Sequence, residues 1–288
     1  MSSPPLFWQP NYRGGSAPLQ FLDVETEAKG VLRVAYWVKD VAVLVPGKAS
    51  FGGWWPMSGP APDATDVAHA HEHLEARIGP QLPIQISLPP AYFHPPIFDP
   101  QRDLFRTLGF SLVEETNHTV VLAGRDWPEL SKGNRKRIRQ FLSVGHVAIA
   151  TPLDFENCFN LLDANRRRRG AVLSLSMEEF ILNLEHQPDV YTCWKAVIGD
   201  ELVGAAYTVE TDENATYVMF WGDSPEGRRY SVVASLFLEI WKRALASGKA
   251  FLDLGKSSVD GQIDDGLARF KGNLSARSFS QQVWSSGR

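Results

Sequence analysis

The sequence predicts an α/β (α+β) protein of two related domains in tandem, each a mixed, mostly antiparallel sheet flanked by helices. Three observations carry this. The chain has 288 residues, and at roughly 100–200 residues per domain two compact domains fit better than one. The second half reads, in order, as strand, two helices, three antiparallel strands, helix, strand, helix, strand. The first half repeats landmarks of the second at a near-constant spacing: Phe51 lies 169 residues before Phe220, Ile86 lies 167 before Asp253, and Leu108 lies 166 before Leu274. The boundary then falls near Gly124 to Gly133, with a degenerate N-terminal domain over 1–126 and a C-terminal domain over 127–288 that holds the chemistry.

The elements follow from local pattern. In the first half, Val31 to Trp37 and Val41 to Val45 are β-rich strands. Phe51-Gly52-Gly53-Trp54 precedes a helix from about Thr65 to Arg77. A strand at Ile84 to Leu88 ends in Pro89-Pro90. A short helix, Asp103 to Leu108, leads through Gly109-Phe110 into two closing strands. Lys132 to Gln140 reads as a basic helix. His146 to Thr151 is a short strand, and Phe155 to Arg168 places Phe155, Cys158, Phe159, Leu161 and Leu162 at helical spacing. Ser176 before Glu178 and Glu179 caps a helix that Pro188 and Asp189 stop. Tyr191 to Ile198 and Leu202 to Val209 form a hairpin across Gly199-Asp200. Thr216 to Trp221 is a third strand, and Gly222 to Gly227 a loop. Ser231 to Ala246 is a long amphipathic helix ended by Gly248. Ala250 to Leu254, Asp264 to Lys271 and Arg277 to Trp284 close the domain as strand, helix and strand.

Composition excludes several classes. At 44% hydrophobic and 22% charged residues the chain is globular rather than disordered. No apolar run approaches the ~20 residues of a membrane span. Met1 to Pro10 has no basic segment followed by an apolar one, so a cytoplasmic protein is expected. Cys158 and Cys193 lack metal-ligand neighbours and read as core residues. A net charge of −4 argues against general nucleic-acid binding.

Three constellations stand out. The densest is Asp253-Leu254-Gly255-Lys256-Ser257, followed by Gly266-Leu267-Ala268-Arg269-Phe270-Lys271. A buried strand delivers Asp253, Gly255 lets the backbone approach a ligand closely, and Lys271 returns from the next helix. The bland reading is a polar turn. Gly255-Lys256-Ser257 is not a P-loop, because Ala250 stands where that pattern needs glycine. The second is Trp221-Gly222-Asp223 with Arg228 and Arg229 at the following helix start, where free N–H groups attract an anion. The third is the basic helix, on which Arg135 and Arg139 share a face, as do Lys132 and Lys136. It binds phosphates or is simply a solvated face. His69 and His73 fall at i, i+4, but no third ligand is present, so no metal is expected. His118 reads as a satisfied buried histidine.

At these residues the sequence resembles the FemAB-like, tandem-GNAT (N-acetyltransferase) family. The matching positions are Asp253-x-Gly255-x-Ser257, Gly266-Leu267-x-x-Phe270-Lys271 and Leu274-Ser275-Ala276. Trp221-Gly222, the Arg135–Arg139 helix, and Asn165-Arg166 with Gly170 also match. In the first half, Ser50-Phe51-Gly52-Gly53, Pro89-Pro90-x-Tyr92 and Leu108-Gly109-Phe110 do so. Together they span about Val31 to Trp284. The resemblance implies two GNAT-like domains and an acyl- or aminoacyltransferase forming an amide on a sugar or peptide amine of a cell-envelope precursor, with acyl-CoA or aminoacyl-tRNA as donor. It implies catalytic roles for Asp253, Ser257 and Lys271. Donor or substrate would be held by Trp221, Asp223, Arg228, Arg229, Gly255, Phe270, Arg135, Arg139 and Asn165. Three departures leave the donor open. Ser275 replaces the family's glycine, the helical hairpin some members use for tRNA is missing, and Ser224 to Ser231 lacks the usual GNAT pyrophosphate pattern. The alternative is a non-catalytic module binding a glycan or peptide. The chain is expected to be a monomer, or a homodimer through exposed aromatics such as Trp8 or Trp55.

Overall fold

A computed structural model describes residues 4–9, 19–27, 29–39, 41–46, 49–79 and 82–287. The reading of Met1 to Pro10 therefore falls partly outside the described residues. In chain order the elements are β1 (Gln20–Glu25), β2 (Val31–Lys39), β3 (Ala42–Val45), β4 (Trp54–Ser58), α1 (Ala64–Ile78), β5 (Ile84–Pro90), α2 (Pro95–Thr107), β6 (Ser111–Val121), α3 (Lys132–Leu142), β7 (Gly145–Ile149), α4 (Phe155–Arg167), α5 (Met177–His186), β8 (Tyr191–Ile198), β9 (Glu201–Glu210), β10 (Ala215–Asp223), α6 (Pro225–Arg229), α7 (Val232–Ala246), β11 (Phe251–Lys256), β12 (Ser258–Val259), β13 (Gln262–Ile263), α8 (Asp265–Gly272) and β14 (Arg277–Ser285). The chain divides into two compact units. The first comprises 1–117, 258–263 and 279–288; the second comprises 118–257 and 264–278.

In the first unit the strands run β1-β2-β3-β5-β14, with β4 also pairing β2. Asp63 and Asp66 form a reciprocal capping box that starts α1. Gly53, at φ +120°, lets the chain pass over Gln101: a Cβ there would sit 2.7 Å from the Gln101 Oε1. That oxygen accepts the Trp54 N–H, and the Gln101 amide donates to the Trp54 and Ile97 carbonyls. The sequence reading began the second helix at Asp103; α2 starts eight residues earlier. Pro95 and Pro96 occupy its first positions, where a missing N–H costs nothing. Where two closing strands were expected there is one, β6. Trp8 and Trp55 are not exposed. Both are buried, the Trp8 indole donates to the Gly53 carbonyl at 2.8 Å, and its ring packs 5.4 Å from Trp55 and 5.9 Å from Phe98. These aromatics build the core of the unit and offer no dimer face.

In the second unit the sheet runs β11-β10-β9-β8-β7, with β6 beside β11. The β8–β9 hairpin turns at Gly199, whose φ is +57°. Ser176 and Glu179 cap α5 reciprocally, as their spacing predicts. On one face α7 buries Leu236, Phe237, Ile240 and Trp241 against Trp194, Ala206, Val218 and Leu252. Its end is a left-handed Gly248 that sends the Lys249 N–H back to the Ala244 carbonyl. On the other face, under α4 and α5, Phe159 meets Phe180 edge to face, Phe180 tilts against Tyr207, and Tyr207 stacks on Phe220. Cys158 and Cys193 are buried, as expected. The stretch predicted as a loop after Trp221 is not one. β10 continues to Asp223, and the short helix α6 follows, started by Pro225 and capped by Ser224, whose hydroxyl accepts the Gly227 N–H. No helix among the described residues is long and apolar enough to cross a membrane.

Candidate active site

In the second unit the sheet opens between β10 and β11. β10 and β11 pair in parallel at Ala215↔Phe251, Thr216↔Leu252 and Tyr217↔Asp253. Beyond that register both strands continue without pairing to each other, β10 to Asp223 and β11 to Lys256. A bulge between Val218 and Phe220 marks the divergence, adding twist and bending β10. Strands that part in this way make room for an extended ligand to pair with backbone N–H and C=O groups.

The end of β11 is shaped by its own side chains. The Asp253 Oδ1 accepts the Gly255 N–H at 2.7 Å. This turn puts Gly255 at φ +78°, where a side chain is strained. A Cβ there would also lie 3.4 Å from the Tyr217 ring on β10. The turn aims the Gly255 and Lys256 carbonyls at Lys271, whose Nζ donates to them at 2.8 and 2.7 Å. Lys271 comes from α8. That helix is fixed to the strand end because the Asp264 N–H donates to the Ser257 carbonyl, while its carboxylate caps the Leu267 N–H. Hence Asp253, Gly255 and Lys271 form one knot across one turn and one short helix. Phe270, one position before, meets Trp221 edge to face at 5.8 Å.

Burial decides the chemistry of this knot. Lys271 is 2% exposed. Loss of hydration pushes its pKa down to about 7, with Arg166 pushing the same way and Asp253 and Asp264 resisting. The amine is therefore poised between charged and neutral at neutral pH. Arg166 lies on the inner side of α4, its guanidinium 5.8 Å from the Phe220 ring centre. Burial, with Arg169 adding to it, lowers its pKa while Tyr217 opposes. Among the described residues it has no carboxylate partner. His118 on β6 is also buried, and its pKa is lowered by burial and by the Lys271 charge. It is not the satisfied histidine expected from sequence, because its Nδ1 has no hydrogen-bond partner. The Ser257 hydroxyl is likewise buried without a partner.

A second group surrounds Asp223 at the end of β10. The Asn165 amide donates to the Asp223 carbonyl and carboxylate, both at 3.0 Å. Arg168 donates to the same carbonyl at 2.5 Å, and Arg228 to the carboxylate at 2.9 Å. Gly222 makes room for this, since a Cβ there would fall 2.8 Å from Asn165. Asp223, Asn165 and Arg228 thus hold the strand end to α4 and α6. The remaining expected residues stand apart. Arg229 pairs with Glu226 at the surface, and Arg135 and Arg139 are exposed on α3. The helix start expected at Arg228 to Tyr230 is instead the end of α6, and α7 begins after a left-handed Ser231 with no side-chain cap.

Sequence reasoning left Arg166, Tyr217 and His118 out of the site. Only the register of α4, with Phe155, Phe159, Leu162 and Asn165 buried, singles out Arg166 from its arginine run. Among the described residues no cluster of three or more His, Cys, Asp or Glu side chains is built to hold a metal. His69 and His73 stack on the exposed side of α1, while His71 points inward toward Phe105 and Phe110.

Residues 130–271 match the family described as acetyltransferase (GNAT) domain. Among solved structures, FemX aligns with a TM-score of 0.66 and 11% identity, over 97% of this chain and 90% of that one. The C-terminal domain of a putative lysylphosphatidylglycerol synthetase from Agrobacterium fabrum aligns at 0.62 and 12%, over 96% and 86%. A tandem GNAT protein from the clavulanic acid biosynthesis pathway aligns at 0.55 and 13%, over 94% and 84%. At these identities the likeness is one of fold, and it is the tandem fold that the sequence predicts. A comparison with curated protein sequences finds no match.

Proposed function

We propose that this chain, whose residues 130–271 match the GNAT acetyltransferase domain and whose fold is that of FemX and of a tandem GNAT protein, transfers an acyl or aminoacyl group to an amine. The observation that carries the reading is a buried lysine held to the end of β11 beyond its pairing with β10, its pKa pushed down to about 7 by loss of hydration. The donor's acyl arm lies as an extended segment along β10 beyond Tyr217, where its register with β11 ends, which fixes its carbonyl against the acceptor. Holding two reactants in contact is worth on the order of 7–11 kcal/mol at best. The neutral acceptor amine attacks the donor carbonyl carbon, a tetrahedral oxyanion forms, and the C–S or C–O bond to the donor breaks. The proton lost by the amine passes to neutral Lys271 and from there to the leaving thiolate or alkoxide. Arg166, a cation without a carboxylate partner among the described residues, attracts an anionic group of donor or acceptor. Asp253 acts on the Gly255 turn and on the Lys271 charge, and is a positioning residue. Ser257 supplies a hydroxyl once a ligand reaches it.

Acyl-CoA and aminoacyl-tRNA are the two donor classes, and the acceptor is an amine of a sugar or peptide in a cell-envelope precursor. A putative lysylphosphatidylglycerol synthetase domain among the fold neighbours supports the aminoacyl alternative. A non-catalytic glycan- or peptide-binding module is the second reading. The two backbone carbonyls that engage Lys271 favour it, because they give the lysine a purely structural task. Thermal melting against acetyl-CoA, longer acyl-CoAs, free CoA and charged tRNA separates them. Saturable stabilisation by one donor class supports transfer, since a ligand of the native state raises the melting temperature by mass action. Stabilisation by glycans or peptides, with none by any donor, would replace transfer with the binding module.

A further inference from the structure

We infer that the outer face of α3, with the exposed aliphatic residues that follow it, is a docking surface for an anionic lipid bilayer. The helix carries five cations and no acid, in a chain whose net charge is −4. Lys132, Arg135, Lys136 and Arg139 fall within an arc of roughly 100°, at 3.6 residues per turn. Asn134, Ile138 and Phe141 occupy the opposite, buried side. All five cations are exposed, and none is paired with a carboxylate among the described residues. An unscreened stripe of this kind raises the free energy of the isolated chain and is relieved by a polyanionic partner.

The apolar residues decide which polyanion. Leu142, at the C-terminal end of the stripe, is 46% exposed, and Val144, two residues on, is 45% exposed. Ile149, on the same strand face as Val147, is also exposed on β7, which ends the sheet and among the described residues pairs with β8 alone. Aliphatic side chains beside a basic stripe fit an interface of headgroups and acyl chains. α3 and β7 expose no Phe, Tyr or Trp ring, so the stacking that RNA bases use at a surface would fall to the His146 imidazole and the α3 arginines alone. Asp200, on the β8–β9 turn next to the Gly145 end of β7, limits the basic surface to α3 itself. Each cation close to an anionic membrane strengthens partitioning by roughly a factor of five.

The test uses the full chain and vesicles of phosphatidylcholine alone or mixed with phosphatidylserine, a headgroup with no assigned place in the proposed reaction. Sedimentation should carry the protein with the anionic vesicles and not with the neutral ones, and added salt should release it. The triple variant Arg135→Glu, Lys136→Glu, Arg139→Glu should lose this binding by at least about a hundredfold. Circular dichroism checks its fold, and the corresponding Gln triple variant replaces it if reversal disturbs folding. Leu142→Ser with Val144→Ser should weaken binding several-fold while leaving its salt dependence intact. Equal binding to both vesicle types, or undiminished binding by the triple variants, overturns the proposal. So does tighter binding to an unstructured RNA that ignores the Leu142 and Val144 changes, which assigns the stripe to nucleic acid.

Discussion

Lys271→Met replaces the buried amine with an apolar chain of similar length, and the structure fixes both the sign and the pH window of its effect. In the folded protein the lysine titrates at about 7, against 10.5 for an unhindered lysine. Above 10.5 the amine is neutral in both states, and the folded state bears no desolvation penalty. As pH falls toward 7 the unfolded chain binds a proton that the folded chain resists, so wild-type stability is lost at about 1.4 kcal/mol per pH unit. Below 7 both states are charged and the loss is complete, on the order of 5 kcal/mol. Methionine has no such dependence. Against this, the variant leaves the Gly255 and Lys256 carbonyls without their donor, at about 1–3 kcal/mol each if they stay dry. Urea denaturation of both proteins at several pH values between 7 and 10 measures the difference directly. The variant should gain on wild type steadily as pH falls through that window, whatever its absolute stability at the alkaline end. A stability difference that does not change with pH would refute the assignment of Lys271 as a buried amine with a depressed pKa.

Other changes test other parts of the account. Gly255→Ala forces a side chain into a left-handed backbone beside Tyr217, and should cost roughly 1–2 kcal/mol in urea denaturation while loosening the Lys271 contacts. Gly222→Ala presses on Asn165 and should cost about 1–3 kcal/mol by the same assay. Asp223→Ala removes one acceptor of the buried Asn165 amide together with the Arg228 pair; about 1–2 kcal/mol is expected, because the arginine is half exposed and its share is screened. Trp8→Ala should lower stability by about 3–5 kcal/mol and leave the sedimentation coefficient of the folded protein unchanged, as suits a core residue rather than a dimer contact.

What the sequence disclosed follows from how local each cause is. Tyr191–Ile198 is readable to the residue because its own β-rich composition and the Gly199 turn define it. The α8 start is readable because Asp264 caps it, and the spacing from Asp253 to Lys271 survives as a motif because the two meet through one turn and one short helix. Ser275, noted as a departure from a family glycine, does adopt φ +70°, so the backbone keeps the glycine-like conformation despite the side chain. What stayed hidden depends on distant contacts. Arg166 is one of four consecutive arginines, and only the packing of α4 on β10 selects it. His118 acquires its meaning from Lys271, more than a hundred residues away. Trp8 is buried by Gly53, Trp55 and Phe98, none of them near it in sequence. The prolines of α2 concealed a helix, because proline marks a helix start and a helix break with the same letter.

The measurement that bears most directly on the central claim is transfer itself, followed with labelled acyl-CoA and labelled aminoacyl-tRNA as donors and an amine acceptor, for the wild type and for Lys271→Met side by side. The account predicts amide product from one donor class in the wild type. In the variant it predicts a rate more than tenfold lower with the fold intact, and loss of the wild-type rate rise as pH increases through about 7. Wild-type transfer that persists undiminished, with the same pH profile, in Lys271→Met would contradict it.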